Sequence, residues 1–350
     1  MRRSIDTLYF LIPGDIDTLT GGYRYDRRII QGLRQLGRPV ELITLGESFP
    51  FPDARDRAHA QACLAGLPDG ALVLIDGLAG GVLAEPLSTQ AGRLRLISLV
   101  HHPLALETGI DVDTARQLKQ EESAALAQVD RIITTSETTA LSLRDYRVPD
   151  TAIVTVCPGT DSAPLAAGSG TGTPRLLCVA TLTQRKGHRV LLDALASLRD
   201  LPWNLVCAGS AERDTTVARA LFAQTRALAL QDRVRFPGEV DEKTLSALYH
   251  EADLFVLASF HEGYGMVLDE AIARGLPIVA SDAGAMAATV PANAGLLCTA
   301  GDTQALAAAL RLFLEHPETR SDLQTAAREA RSRLRSWSQA AMEFNEALQW

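Results

Sequence analysis

Residues 253–282 read DLFVLASFHEGYGMVLDEAIARGLPIVASD. Two apolar runs, DLFVLAS and PIVASD, flank the segment MVLDEAIARG, which reads as a helix that ends at Gly275. Strands that are apolar on both faces belong in parallel sheets covered by helices. The stretch therefore predicts a strand–helix–strand unit, with the loop HEGYG at the carboxyl end of a buried strand.

The same alternation of short apolar runs and longer helical segments continues in both directions. In the first half, strands are predicted at residues 8–13, 40–45, 71–77, 95–101, 131–136 and 152–156. In the second half, they are predicted at residues 175–182, 204–210, 234–240, 253–259, 277–282 and 295–299. Repeated strand–helix alternation predicts the α/β class with doubly wound parallel sheets.

A segment without periodicity separates the two halves. Residues 158–174, PGTDSAPLAAGSGTGTP, are rich in Gly, Pro, Ser and Thr, which is typical of a linker. We expect two Rossmann-like domains, residues 1–165 and 166–335, that face a central cleft. Such a cleft is the expected ligand site.

Composition excludes several classes of protein. The chain has 350 residues and a net charge of −8, which argues against a nucleic-acid partner because phosphate neutralisation needs a basic surface. No apolar run is long enough to span a bilayer. The first apolar stretch, LYFLIP, is too short for a signal-peptide core. We expect a cytoplasmic protein.

The cysteines are scattered, and no two of them form a CxxC pair. We expect buried free thiols that act as small hydrophobic residues in a reducing compartment, and no zinc site. The five are Cys63, Cys157, Cys178, Cys207 and Cys298.

The loop HEGYG carries the chemistry of the central unit. Gly263 and Gly265 let backbone N–H groups approach an anion closely, and the dipole of the following helix favours a phosphate there. Two carboxylates, Glu262 and Glu270, stand on either side. They suit hydroxyl groups rather than the phosphate, one on a sugar and one on a ribose. The pattern therefore indicates a nucleotide-sugar site.

These residues resemble a known family. HEGYGMVLDEA (261–271) is similar to the E-x7-E motif of the retaining GT-B glycosyltransferases of glycosyltransferase family 4, whose usual form is E-G-F-G-L-x-x-x-E-A. GLPIVASDAGA (275–285), LCVATLTQRKGHRVLLDAL (177–195) and TGGYRYDRRIIQGLRQLG (20–37) also resemble family segments. The resemblance covers most of the chain. It implies GT-B architecture in which a C-terminal helix, residues 336–350, crosses back to the first domain, with Ser336 or Ser338 as its N-cap.

The resemblance also implies roles for individual residues. Glu262 would contact donor-sugar hydroxyls, Glu270 would hold the ribose, and Lys186 would pair with the diphosphate and stabilise the leaving group. His101 would contact the sugar beside the anomeric carbon. Neighbouring residues of a strand point to opposite faces, so only one of His101 and His102 can face the cleft, and we expect it to be His101. The implied donor-binding residues also include Gly21, Gly22, Arg185, Gly263, Tyr264, Gly265, Met266 and Val267.

Several positions depart from the family pattern. Ala180 and Thr181 stand where the family usually has a Gly-Arg pair, and Ala287 and Ala288 lie near the place where the family often has an acid. Thr181 stands where the family usually has an arginine that clamps a phosphate, and Arg185 is the candidate to replace it. Ala285 stands where a second glycine is usual. These departures concern details of donor contact rather than the class of protein.

The expected function is retaining, metal-independent transfer of a hexose from a UDP- or GDP-sugar to an acceptor hydroxyl by front-face attack, with no cofactor. The acceptor stays open between a saccharide, a lipid-linked molecule and a small metabolite. The alternatives are a nucleotide-sugar epimerase of the same fold and a non-catalytic sugar-nucleotide binding protein. A nicotinamide dehydrogenase is disfavoured because residues 14–22, GDIDTLTGG, lack the G-x-G-x-x-G pattern.

Charged clusters on the first domain allow two further interpretations. The strings Asp15-Ile16-Asp17 and Asp111-Val112-Asp113 resemble metal-binding pairs, but we expect a loop and a helix start instead. Arginines on the first helix region form either a solvated face or a surface for an anionic acceptor or a membrane headgroup. They are Arg24, Arg27, Arg28, Arg34 and Arg38.

Overall fold

The computed structural model describes residues 6–149 and 152–349. It divides into two compact units: unit 1 contains the chain up to Gly159 together with the segment from Arg335 onward, and unit 2 contains Thr160–Leu334. The sequence placed the boundary after residue 165, whereas the units divide after Gly159. The charged residues 1–5 and Trp350, the last residue of the predicted C-terminal helix, lie outside the described residues.

Unit 1 is built on a parallel sheet. Its strands are β1 (Leu8–Pro13), β2 (Val40–Leu45), β3 (Leu72–Asp76), β4 (Arg95–Val100), β5 (Arg131–Thr134) and β6 (Ile153–Thr155). They pair in the order β2-β1-β3-β4-β5-β6. The connecting helices are α1 (Gly21–Gln35), α2 (Ala54–Ala65), α3 (Gly77–Gly80), α4 (Ala84–Ser88), α5 (Val112–Leu126) and α6 (Glu137–Ser142).

Burial explains why these segments form a covered parallel sheet. Leu8, Phe10 and Leu11 of β1 are all fully buried, although neighbouring residues of a strand point to opposite faces. Both faces of the sheet are therefore covered by helices, as its apolar strands require. α1 begins where the Thr20 hydroxyl accepts a hydrogen bond from the Tyr23 amide at 3.2 Å.

Unit 2 repeats this architecture with a different strand order. Its strands are β7 (Arg175–Val179), β8 (Asn204–Ala208), β9 (Val234–Gly238), β10 (Leu254–Leu257), β11 (Ile278–Ser281) and β12 (Gly295–Cys298). They pair in the order β12-β11-β10-β7-β8-β9, again all parallel. Its helices are α7 (His188–Ala196), α8 (Thr215–Ala227), α9 (Glu242–His250), α10 (Met266–Ala273), α11 (Met286–Thr289), α12 (Thr303–Glu315) and α13 (Pro317–Ala330). All the predicted strands are confirmed, and each observed strand lies within its predicted range.

The C-terminal helix α14 (Trp337–Ala347) returns to unit 1 and packs along α1, as predicted. Ser336 is its N-cap and forms a capping box. Gly32 of α1 allows the close approach, because a side chain there would place its Cβ 2.3 Å from the Cβ of Ala341. The Tyr25 ring contacts the Trp337 ring edge-on, with their centroids 6.1 Å apart.

Arginines of the first helix region make hydrogen bonds and a ring contact within unit 1. The Arg38 side chain, 6% exposed, donates to the Asn345 side chain at 2.7 Å. Arg34 donates to a backbone carbonyl of β2 at 2.9 Å, and Arg27 donates to the Ile16 carbonyl. Arg28 lies over the Trp337 ring at 5.4 Å. These four arginines thus have contacts within the unit, which weakens the interpretation of an open basic face.

The predicted linker is wrong in extent. The Ala166 amide donates to the Arg274 carbonyl at 2.9 Å, and the Ala167 amide donates to the His250 carbonyl at 2.8 Å. Further along, the Ser169 amide donates to the Asp253 carboxylate. Composition suggested a free tether, but these amides find acceptors at the ends of α9 and α10 and in the residue before β10. Most of residues 158–174 therefore belong to unit 2.

Candidate functional site

The sheet of unit 2 has a switch point between β7 and β10, where the direction of winding reverses. Ligands of doubly wound proteins bind outside the carboxyl ends of the strands at this point. Two segments meet there. A 3₁₀ turn, Gln184–Lys186, follows β7, and a loop, residues 258–265, follows β10. The Phe260 amide joins them by donating to the Arg185 carbonyl at 2.8 Å.

Gly187 holds the turn against the end of β10. Its φ is +67°, and a Cβ at this position would lie 1.9 Å from the Ala258 carbonyl oxygen. Any side chain would therefore push the turn away from the strand. Because Gly187 directly follows Lys186, it fixes where the lysine leaves the backbone.

Glu262 is the centre of the cluster, and its carboxylate accepts from three side chains. One oxygen, Oε1, lies 2.5 Å from the Lys186 ammonium and 2.6 Å from the Ser259 hydroxyl. The other, Oε2, lies 3.3 Å from the Arg185 guanidinium, which also donates to the His261 carbonyl at 2.8 Å. The sequence predicted Lys186, Arg185 and Glu262 as site residues, and the structure brings all three together.

The electrostatics of this cluster keep Glu262 ionised. Glu262 is 7% exposed, and burial alone would raise its pKa. Lys186, Arg185 and the Ser259 hydroxyl outweigh burial and lower the pKa to about 2. Two cations surround one carboxylate, so the cluster keeps an excess positive charge that suits an anion.

The helix α10 begins directly after this loop. Gly265, with a φ of +90°, is the residue before its first turn, and Met266 and Val267 open that turn. The first N–H groups of a helix have no intrahelical partners and point toward its N-terminal end. The predicted backbone donors therefore lie where an anion is favoured, next to Glu262.

Glu270 lies further along α10 and is buried, with 8% of its surface exposed. Its Oε2 accepts a hydrogen bond from the Tyr249 hydroxyl at 3.0 Å. The neighbouring Asp269 accepts from the Tyr264 hydroxyl at 2.7 Å. Burial raises the pKa of Asp269 to about 6, and the charge of Glu270 adds to the rise, although the Tyr264 bond opposes it. The two acids of α10 are therefore held by tyrosines.

Gly284 explains the departure at Ala285. Gly284 has a φ of +62°, and a Cβ there would lie 2.3 Å from the Glu262 carbonyl oxygen. The following Ala285 has ordinary helical angles, and its amide donates to the same carbonyl at 2.9 Å. Only the first of the two positions requires glycine, so the alanine leaves the support of Glu262 intact.

Unit 1 has its own cluster at the carboxyl ends of its strands, around His101. The imidazole Nε2 lies 3.1 Å from an Asp26 oxygen and 3.4 Å from an Asp76 oxygen, and both aspartates are buried. Burial alone would lower the pKa of His101, but the two carboxylates raise it to about 10. Burial in turn raises the pKa of Asp26 to about 6, which His101 partly opposes. The two carboxylates therefore favour the protonated, charged form of His101.

The glycines at the start of α1 give His101 its space. A Cβ on Gly22 would lie 3.3 Å from the His101 ring. Gly21 is the first residue of the same helix. In contrast, the His102 ring lies 3.3 Å from the Glu107 carboxylate. The structure thus joins His101, rather than His102, with the predicted glycines.

Some partners in these clusters escaped the sequence analysis: Asp26, Asp76, Ser259 and Tyr249. Asp76 ends a buried strand in LVLIDG, a position that could have signalled it. Asp26 and Tyr249 are distant in sequence from the residues they contact, and nothing in the sequence pairs them. The string Asp111-Val112-Asp113 is a helix start as expected, since Asp111 accepts from the Asp113 and Thr114 amides.

Comparison with known proteins places the chain in a family. Residues 165–330 match the family model described as Glycosyl transferases group 1. The chain is 31% identical over 310 residues to a D-inositol 3-phosphate glycosyltransferase of Saccharomonospora viridis, with 83% of this chain and 69% of that protein covered. It is 35% identical over 229 residues to a glycogen synthase of Mycobacterium tuberculosis, with 63% and 54% covered. The chain belongs to the group 1 glycosyl transferases. It spans about half the length of several curated relatives that it matches.

Solved structures share the fold over nearly the whole chain. A sucrose-phosphate synthase from Thermosynechococcus elongatus has a TM-score of 0.82 at 22% identity, with 97% of this chain and 98% of that one covered. Anabaena HepE in complex with UDP and glucose has a TM-score of 0.75 at 20% identity, with 98% and 99% covered. The predicted GT-B fold is confirmed. Within residues 6–149 and 152–349, no helix is both long and apolar enough to cross a membrane.

Proposed function

We propose that this chain is a retaining glycosyltransferase of glycosyltransferase family 4. It moves a hexose from a UDP- or GDP-sugar to an acceptor hydroxyl without a metal ion. The observation that carries the proposal is the cluster of Lys186 and Arg185 around Glu262, directly before the N-terminus of α10. A buried carboxylate between two cations, at a helix N-terminus, suits a ligand that has both phosphates and hydroxyl groups.

In this proposal the diphosphate lies at the start of α10. The amides after Gly263 bind its distal phosphate, and Lys186 moves from Glu262 to the phosphate oxygens. Glu262 is then able to accept hydrogen bonds from the sugar hydroxyls. Glu270 binds the ribose, which requires the carboxylate to share its bond with Tyr249. In this proposal the E-x7-E spacing places one carboxylate at the sugar and the other at the ribose.

The chemical step needs little from the protein except position and charge. The bond between the anomeric carbon and the phosphate oxygen breaks, and its electron pair stays on the phosphate. The acceptor oxygen bonds to the anomeric carbon on the same face, and its proton passes to the departing phosphate. Lys186, Arg185 and the N-terminus of α10 stabilise the negative charge that develops there.

For unit 1, the proposal assigns His101 a contact with the donor sugar. The aspartates at Nε2 keep the ring charged and fix its orientation. A fixed imidazolium can donate a hydrogen bond to a sugar hydroxyl, but it cannot act as a general base. This agrees with a mechanism in which the phosphate, rather than a side chain, accepts the acceptor proton.

Names of similar proteins support the donor class. HepE has been solved with UDP and glucose, and two curated relatives are named as a glycogen synthase and an inositol phosphate glycosyltransferase. All three names concern sugar transfer or sugar-nucleotide binding. The names of the two curated relatives differ from each other, so they do not select an acceptor for this chain.

The first experiment is thermal unfolding of the full chain with UDP, GDP, ADP or NAD, each with and without magnesium. A ligand at about a hundred times its dissociation constant adds roughly 2.7 kcal/mol of stability. We expect stabilisation by one nucleoside diphosphate without metal. It should be lost in Glu270→Gln and kept in the control Glu329→Gln, which changes an exposed acid of α13. No response to any diphosphate, or a response to NAD alone, would overturn the donor site.

A second measurement separates a transferase from an epimerase or a binding protein. The chain is incubated with the matching hexose donor and a panel of sugar, polyol and lipid-linked acceptors, and proton NMR follows the anomeric signal. We expect a glycoside with the anomeric configuration of the donor. An isomerised donor would identify an epimerase, and an inverted product would contradict the retaining mechanism.

A further inference from the structure

Three buried side chains of unit 2 lie close together on β7, β8 and α7. Cys178 and Cys207 are register partners on the adjacent strands β7 and β8, so their side chains point to the same face of the sheet. His188, the first residue of α7, covers that face. All three are almost completely buried, at 1%, 1% and 2% exposure. None of them has a role in the proposed transfer reaction.

The spacing of these side chains matches a metal site. A tetrahedral zinc ion with Zn–S and Zn–N bonds of ordinary length requires a sulfur–nitrogen separation of about 3.5–3.6 Å and a sulfur–sulfur separation of about 3.8 Å. The Cys178 Sγ and the His188 Nε2 lie 3.7 Å apart. One ligand atom from each of the three residues lies within 4.8 Å of the others. An ion can therefore bind with little rearrangement of the protein.

The charges also favour a divalent ion. Two thiolates and one divalent cation are neutral together, which limits the cost of burying them. A disulfide between the two cysteines would not explain the imidazole beside them.

We propose that Cys178, His188 and Cys207 form a binding site for a thiophilic divalent cation of the zinc class. Sequence spacing did not reveal it, because the two cysteines come together only through the pairing of β7 with β8. The site is independent of the proposed donor chemistry. His188 stands two residues after Lys186 in the sequence, and the site joins the start of α7 to strands β7 and β8.

The second nitrogen of His188 limits the strength of binding. Nδ1 is buried and has no hydrogen-bond partner among the described residues. In structural zinc sites the other ring N–H of a histidine ligand usually donates to a carbonyl or carboxylate, and loss of this partner weakens binding about 10–100-fold. Because the described residues give Nδ1 no such partner, we expect this site to bind zinc more weakly than a structural zinc site does.

The test uses the full chain, reduced with a phosphine and freed of metal with a chelator. Titration with cadmium is followed by the thiolate-to-metal charge-transfer band in the ultraviolet, and native mass spectrometry counts bound zinc. We expect one ion per chain. The band should be lost in Cys178→Ser and Cys207→Ser, and the affinity should fall at least about tenfold in His188→Gln. Cys298→Ser and Cys63→Ser, which change cysteines outside the cluster, should bind like the parent protein.

A measurement on the parent protein alone covers the case in which a buried variant fails to fold. Thiols are alkylated in mild denaturant with and without zinc, and mass spectrometry of the peptides gives the rate for each cysteine. We expect zinc to protect Cys178 and Cys207 and to leave Cys63 unchanged. Absence of a charge-transfer band, a band that survives in both serine variants, or equal protection of all cysteines would overturn the site.

Discussion

Replacing Lys186 with methionine tests how much the interaction of its ammonium with the Glu262 carboxylate contributes to the stability of unit 2. The side chains of Lys186 and Glu262 are 16% and 9% exposed, so water screens their interaction only weakly. Methionine keeps the length of the lysine stem and removes its charge. The Glu262 carboxylate is then left buried with the Arg185 guanidinium at 3.3 Å and the Ser259 hydroxyl as its remaining partners among the contacts described above.

The pKa of Glu262 gives the size of the effect. A change from its ordinary value of 4.5 to about 2 corresponds to roughly 3 kcal/mol of stability at neutral pH, because one pH unit is worth about 1.4 kcal/mol. Lys186 is the largest of the groups that lower this pKa, and it shares the effect with Arg185 and Ser259. We therefore expect Lys186→Met to destabilise unit 2 by about 1–3 kcal/mol at pH 7.

The sign of the pH dependence follows from the same pKa. Because the pKa of Glu262 is lower in the folded state, its contribution is complete above about pH 4.5 and is lost as the pH falls toward 2. In the variant this pKa rises. The difference in stability between the parent protein and the variant should therefore be largest near neutral pH. It should narrow by about 1.4 kcal/mol per pH unit once the pH falls below the pKa of Glu262 in the variant.

The assay is urea unfolding between about pH 2.5 and pH 7, followed by tryptophan fluorescence, because a loss of about 1–3 kcal/mol places the pKa of Glu262 in the variant between about 2.7 and 4.1. Trp203 is buried in unit 2, so a background with Trp337→Phe and Trp350→Phe makes it the only tryptophan and the reporter for that unit. Lys243→Met, a change at an exposed lysine of α9, is the control and should stay within about 0.5 kcal/mol of the parent. A double-mutant cycle with Glu262→Gln should give a coupling energy of at least about 1 kcal/mol. A pH-independent loss, or a coupling near zero, would refute the reasoning.

Two further predictions concern single contacts. Gly284→Ala should destabilise unit 2 by more than about 2 kcal/mol in the same assay, because its Cβ would lie 2.3 Å from the Glu262 carbonyl oxygen at a φ of +62°. The control Ala285→Gly should cost less than half as much, and equal losses would show that the contact of Gly284 with this carbonyl does not determine stability. Asp26→Asn should lower the pKa of His101 from about 10, because only the Asp76 carboxylate then opposes the effect of burial. The nitrogen chemical shifts of the imidazole in NMR should show a charged ring through pH 8 in the parent protein and loss of the charge at a lower pH in the variant. Identical titrations would contradict the ion pair.

The fold was largely predictable because its signals are local. Most strands of the two sheets are short apolar runs bounded by polar or glycine residues, as strands covered by helices on both faces require. The edge strands β2 and β9 are more exposed. The linker was less predictable. Its composition describes a flexible chain, but the amides of Ala166 and Ala167 find carbonyl partners on segments that lie far away in sequence. Composition reports what a segment can do alone, and it does not report such partners.

The site also depends on a contact between residues that are distant in sequence. The motif identified Lys186 and Glu262 as separate contacts for a phosphate and for sugar hydroxyls, yet in the structure each is the partner of the other. A buried carboxylate and a nearby ammonium must pair when no ligand competes, because an unpaired charge in this position is costly. In the proposed mechanism, donor binding therefore exchanges one partner for another: the lysine moves to the phosphate, and the same movement frees the carboxylate for the sugar. A nucleoside diphosphate alone should release Glu262 while giving it no hydroxyl to bind. The complete donor should consequently bind more tightly than the diphosphate, and Glu262→Gln should reduce that difference more than it reduces binding of the diphosphate itself.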